Sequence, residues 1–172
     1  MTAKPLIVTL QLDENSARFF DDMRARYFPP DLNHLKSHLT LFHNLPGELL
    51  QDVIGAIARL AAATPPFKMS VGGLMKLGRG VAYKITSERL ERIRAQIAEV
   101  FKDRLSRQDR EKFRPHITIQ NKVSPAEAAG LFDHLSDEFE SFDVGAEGVQ
   151  LWHYEGGPWS PVAAIPFQGE RS

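Results

Sequence analysis

Two tetrapeptides of one pattern stand far apart in this chain: His38-Leu39-Thr40-Leu41 and His116-Ile117-Thr118-Ile119. Each sets an imidazole and a hydroxyl two positions apart, with aliphatic residues in the alternate places. On a β-strand the histidine and threonine share one face, roughly 6.5–7 Å apart, and the aliphatic pair faces the opposite way, into a core. An imidazole ionises near pH 6.5, so at neutral pH one ring can be an uncharged base and the other a charged acid. Facing each other across a phosphodiester, the base would take a proton from the attacking water or hydroxyl and the acid would protonate the leaving oxygen. Each such transfer is worth about 10²–10⁴-fold in rate. The threonine hydroxyls could donate to the non-bridging oxygens, where charge builds in the transition state. This chemistry needs no metal, no cofactor and no nucleophilic side chain. In a chain of this composition a threonine would follow two places after a histidine about 0.2 times by chance; here it does so twice, with aliphatic spacers both times.

The elements around the tetrads repeat as well. Leu6, Val8, Leu10 and Leu12 alternate and predict a strand over 5–12. Phe20, Met23 and Tyr27 recur at helical spacing over 15–27, and Pro29-Pro30 ends that helix. The first tetrad lies in a short apolar strand over 37–42. Leu50, Val53, Ile57 and Leu60 mark a helix over 46–62, and a strand follows over 67–75. After the Gly78-Arg79-Gly80 turn, Val81, Tyr83 and Ile85 form a hairpin partner. Thr86 or Ser87 caps a helix carrying Leu90, Ile93, Ile97, Val100 and Phe101, and the second tetrad forms a strand over 115–120. Ser124-Pro125-Ala126-Glu127 is a capping box opening a helix through Leu135. Strands over 148–154 and 161–167 close the chain around Gly156-Gly157-Pro158. The interval from Leu6 to His38 is 32 residues and that from Val81 to His116 is 35. Two βαβαβ units of similar length predict a duplicated α+β fold with a pseudo-twofold axis. The expectation is one bilobal domain over 1–172, with halves of about 5–77 and 78–168 and a central cleft between two mainly antiparallel sheets.

The paired His-aliphatic-Thr-aliphatic tetrads, set in duplicated βαβαβ units, resemble the two-histidine (2H) phosphoesterases, among them the bacterial RNA 2′,5′-ligase / 2′,3′-cyclic phosphodiesterase proteins. The resemblance covers residues 6–167. It implies that His38 and His116 are the acid–base pair and that Thr40 and Thr118 bind the phosphate. Members commonly open 2′,3′-cyclic phosphates, and some join or cleave 2′,5′-linked RNA. The implied partner is a nucleotide or RNA end carrying a phosphodiester or cyclic phosphate. The same cleft could also serve a binding module that recognises such an end without turning it over.

Several neighbours are candidates for contacts to substrate. Continued alternation from the first tetrad puts Phe42 at the cleft mouth, where it could stack a base. Gln120 holds the matching place after the second, with Lys122 two residues on and Arg114 two residues before His116. Arg79 sits in the glycine turn, and Tyr154 and Trp159 could wall the cleft from the last hairpin; Trp152 reads as core. His38 and His43, an odd number of residues apart, are expected on opposite faces of their strand. The i, i+4 spacing of His34 and His38 would suit zinc only on a helix, which Pro29-Pro30 and the strand pattern oppose, so no metal is expected.

Composition limits the rest. The 21 basic and 22 acidic residues leave a net charge of −1, so any phosphate site must be a local cluster of donors and not a global positive field. The absence of cysteine excludes disulfides, thiolate zinc sites and a cysteine nucleophile. No signal-peptide pattern and no membrane-length apolar run is present. A cytoplasmic protein without an obligate protein partner is the expectation.

Overall fold

The computed structural model describes residues 3–170. Seven strands and five helices follow in the order β1 (Leu6–Leu12), α1 (Glu14–Tyr27), β2 (Leu39–Leu45), α2 (Leu50–Ala62), β3 (Phe67–Lys76), β4 (Val81–Thr86), α3 (Glu88–Val100), α4 (Arg107–Arg110), β5 (His116–Gln120), α5 (Pro125–Asp137), β6 (Phe142–His153) and β7 (Ser160–Pro166). Helix starts obey local chemistry. The side chains of Asp13, Ser87, Ser106 and Ser124 accept from backbone N–H groups of the first turns of α1, α3, α4 and α5.

All the strand pairings are antiparallel, and the strand order β2-β1-β6-β3-β4-β5 reads symmetrically from both ends. β2 matches β5, β1 matches β4, and β6 matches β3. The third strand of each repeat therefore pairs with the other repeat: β6 beside β1, β3 beside β4. The α+β class holds, and the two strand groups are joined into one seven-stranded sheet. Strand β6 is the reason. It begins at Phe142, earlier than its apolar pattern suggested, so its first half pairs with β3 while its second half lies between β1 and β7. Two glycines and two acidic residues over 143–148 hid that extension. Gly145 and Gly148 sit where a Cβ would strike the side chain of Asp13 and the backbone of β7.

One sheet face is the core. Leu6, Val8, Leu10, Leu39, Leu41, Ile117, Ile119, Val149 and Leu151 are buried there under α1, α2 and α3 residues such as Phe20, Ile57, Leu90 and Ile97. The second tetrad lies on β5 and the first on β2, with His38 immediately before the strand's first residue; β2 and β5 are the outer strands of the order and approach each other. Among the described residues no helix is long and apolar enough to cross a membrane.

Candidate active site

His38, Thr40, His116 and Thr118 line a single cavity of about 320 Å³ between β2 and β5. Each imidazole is held in the same way. Nδ1–H of His38 donates to the Lys36 carbonyl at 2.9 Å, and Nδ1–H of His116 donates to the Arg114 carbonyl at 2.7 Å. A carbonyl only accepts, so both bonds put the proton on Nδ1 and leave Nε2 as the nitrogen free to exchange a proton. Cross-strand register puts both threonines on the sheet face opposite the core: Thr40 stands opposite Thr9, and Thr118 opposite Ala82.

Both tetrads end in a β-bulge. Thr9 pairs with Thr40 and Val8 with Phe42, which leaves Leu41 as the extra residue; Ala82 pairs with Thr118 and Val81 with Gln120, which leaves Ile119 extra. A bulge interrupts the alternation of faces. Phe42 and Gln120, expected at the cleft mouth, are instead 0% and 4% exposed. The same shift carries His43 into the cavity beside His38 and His116, against the opposite-face expectation.

Buried side chains hold the bulges. Arg94 on α3 donates to the Leu41 carbonyl at 2.8 Å and to the Asp109 carbonyl at 2.7 Å, with its guanidinium 4.0 Å from the Phe42 ring centre. The carboxylate of Asp109, 1% exposed, accepts from the backbone N–H groups of His43 and Asn44 at 2.8 and 2.9 Å. Across the cleft, Arg24 on α1 donates to the Thr118 carbonyl and to Asn33 Oδ1, both at 3.1 Å, over the Phe28 ring. Edge strands leave backbone groups without a neighbour; here two buried guanidinium groups and a carboxylate supply the missing partners. Desolvation pushes both guanidinium groups below the usual arginine range. The sequence reading missed Arg24, His43, Arg94 and Asp109. The signal available was weak: arginines at otherwise apolar positions of α1 and α3, and Ser106 capping a four-residue helix that contains Asp109.

The other candidates divide. Arg114 lines the cavity, together with Lys112. The Trp159 ring stands over His38, centroids 4.7 Å apart. Arg79, Lys122 and Tyr154 do not line it. Arg79 spends its Nε–H on the Val123 carbonyl at 3.0 Å, and Lys122 sits at φ 63 in the turn that leads the chain away after the second bulge. Tyr154 is exposed just beyond β6, its N–H bonded to the Pro5 carbonyl. Trp152, expected in the core, is half-buried on the cleft side, donating to Thr9 Oγ1 at 2.9 Å.

Burial pushes the His38 imidazole below its ordinary 6.5; Arg24, His116 and His43 act in the same sense, and the bond to Lys36 opposes them. His43 is lowered too, chiefly by burial, with Asp109 opposing. A neutral His38 is therefore available as a base into mildly acidic pH.

A family model described as the 2'-5' RNA ligase superfamily matches residues 12–158. The chain belongs to the 2'-5' RNA ligase superfamily. That membership meets the resemblance to two-histidine phosphoesterases and places this superfamily member among proteins of phosphodiester chemistry. No curated protein matches it in sequence. Among solved structures, TT0787 of Thermus thermophilus is similar at 19% identity and a TM-score of 0.67, over 97% of this chain and 100% of that one. LigT of E. coli, complexed with 3'-AMP, is similar at 18% identity and a TM-score of 0.62, over 95% and 98%. At these identities the likeness is one of fold, and the superfamily fold here extends over nearly the whole chain.

Proposed function

We propose that this chain is a metal-independent phosphoesterase that hydrolyses 2′,3′-cyclic phosphates or 2′,5′-linked phosphodiesters of nucleotides or RNA ends, with His38 and His116 as its acid–base pair. The observation that carries the reading is the mirrored site: two imidazoles, each with Nδ1 tied to the carbonyl two residues back, and two threonines around one cavity. In hydrolysis, neutral His38 Nε2 takes a proton from water as the water oxygen bonds to phosphorus. His116, protonated at Nε2, gives its proton to the ribose oxygen as its bond to phosphorus breaks. The hydroxyls of Thr40 and Thr118 hold the non-bridging oxygens. Ring re-formation runs the same steps backwards, with the roles of the two imidazoles exchanged. LigT, which has this fold, has been crystallised with 3'-AMP, ATP and NADP+; a nucleotide is the ligand class proposed here.

The test is an assay of the EDTA-treated protein on 2′,3′-cyclic nucleotides and 2′,5′-linked dinucleotides. Turnover unaffected by EDTA is expected. Activity lost to EDTA and restored by zinc would reject the mechanism, and binding without turnover across the panel would make the chain a recognition module. Thr40→Val and Thr118→Val each remove one hydroxyl from the phosphate; each is expected to lower kcat about 10²–10³-fold, as loss of one oxyanion donor does. A fall of less than about threefold in both would remove the threonines from the mechanism.

The pH profile follows from the direction of the His38 shift. A base with a lowered pKa stays neutral to lower pH, so the acidic limb of kcat/KM is expected below pH 6.5. In Trp159→Ala the ring gains water, the desolvation weakens, and that limb is expected to move up towards 6.5. A limb that stays in place would mean that Trp159 does not desolvate the base.

A further inference from the structure

Beside the phosphate cavity lies a second one of about 500 Å³, lined by α1, β1, β6, the segment before β2 and the last hairpin. Its lining is different in kind. Trp152 and Trp159 supply indole rings, and Gln11 and Gln150 supply carboxamides. Asp21, His34 and Lys36 line the side towards α1 and the segment before β2, and His38 is the residue that borders both cavities. Strand register explains the grouping. Gln11 stands opposite Gly148, Thr9 opposite Gln150 and Ile7 opposite Trp152, so Gln11, Gln150 and Trp152 project from one face of the β1–β6 pair. Gly148 has no side chain, and a Cβ there would come within 3.2 Å of Gln11 Oε1. The carboxamide of Gln11 therefore lies over bare backbone. Among the described residues neither glutamine side chain has a hydrogen bond to the protein, whereas Trp152 is fixed through Thr9. Trp159, half-buried at the end of a Gly-Gly-Pro turn, packs against His38 at 4.7 Å and lies 6.2 Å from Trp152.

We propose that this second cavity is a nucleobase site: Trp159 stacks the base of the nucleotide whose phosphate lies between His38 and His116, and Gln11 and Gln150 read its edge. The assignment rests on the phosphoesterase reading of the neighbouring cavity and deepens it from a nucleotide held by its phosphate to one recognised through its base. The chemistry matches on three counts. A planar heteroaromatic ring suits an indole wall. Carboxamides present a donor and an acceptor together, the complement of a base edge, adenine's N6 and N7 being one such pair. The volume falls in the range of small-ligand pockets, about 300–1,000 Å³. An exposed alkyl or lipid group would leave two free carboxamides facing an apolar surface, which costs unmade hydrogen bonds.

The experiment is calorimetric binding of the four nucleoside 2′-monophosphates and of base-free ribose 2-phosphate. The wild-type chain is expected to bind the best nucleotide about tenfold or more tightly than the base-free compound, the lower part of what loss of one stacking aromatic removes. Trp159→Ala should bring that ratio within about twofold of one, and Trp159→Phe should keep most of it. Gln11→Ala with Gln150→Ala should flatten the ranking among bases while Trp159 still favours nucleotide over sugar phosphate. A wild-type ratio near one, a ratio unchanged in Trp159→Ala, or a ranking indifferent to the glutamines would each overturn the base site. Turnover of base-free ribose 2,3-cyclic phosphate reports separately on the phosphoesterase: if it persists while the ratio is near one, only the base site falls, and if no phosphate compound binds, both fall.

Discussion

His38→Ala and His116→Ala are each expected to lower kcat on a 2′,3′-cyclic nucleotide by about 10²–10⁴-fold, the contribution of one positioned acid or base. The double variant should be little slower than the worse single one. Proton removal and proton delivery belong to one transition state, so losing either group already forfeits most of what the pair provides. Structure should survive both changes. Each ring is half-buried and contributes one Nδ1–H bond to a carbonyl, worth about 0.5–1.5 kcal/mol net. Thermal melts of the single variants should therefore stay within a few degrees of the parent while turnover collapses. The measurement is kcat beside a melting curve on the same preparation. If either single variant kept a tenth or more of the parental kcat with its melt unchanged, that imidazole would not be part of the proton transfer.

The second large effect is on stability and reaches the site indirectly. Asp109→Ala removes the acceptor for two adjacent backbone N–H groups, those of His43 and Asn44, at a position 1% exposed. It also leaves the Arg94 guanidinium without the carboxylate that favours its charged form. Each of the two part-buried backbone donors costs about 1–3 kcal/mol where water does not replace the lost acceptor. For a chain of this size that corresponds to a fall in Tm of roughly 10 °C. Activity should fall as well at temperatures where the variant is still folded, since the strand carrying His38 and Thr40 is held by these contacts. Asp109→Asn keeps one acceptor and should lose about half as much stability. A Tm for Asp109→Ala within about 2 °C of the parent would mean that the bulge in β2 holds without its carboxylate.

The two tetrads were readable because each packs two periodic signals into four residues: chemistry on one strand face and apolar anchors on the other. The helices of the repeats were readable for a similar reason, a local apolar stripe with a local cap, as at Ser87 and Ser124. Both signals depend on a few neighbouring residues, and neighbours in sequence are enough to state them. The start of β6 escaped because glycines and acidic residues over 143–148 carry no apolar alternation. They form a strand because β3 and β1 offer them backbone partners.

What sequence alone established was the pair of histidine–threonine presentations, the repeat that carries them and the α+β class. The two bulges could not be read from it. A bulge is a mismatch of register between two strands, and neither strand holds that information separately. Its consequences are large here. Phe42 and Gln120 leave the cleft for the interior, His43 enters it, and the strict alternation that would have extended the site to Lys122 ends. Distance in the chain hid the supports in the same way: Arg24 meets Thr118, and Arg94 meets Leu41, across intervals of 94 and 53 residues. Alternation along a strand is a local property of the backbone. Which carbonyl an arginine satisfies, and which ring shields a histidine from water, is settled only when separate elements pack together.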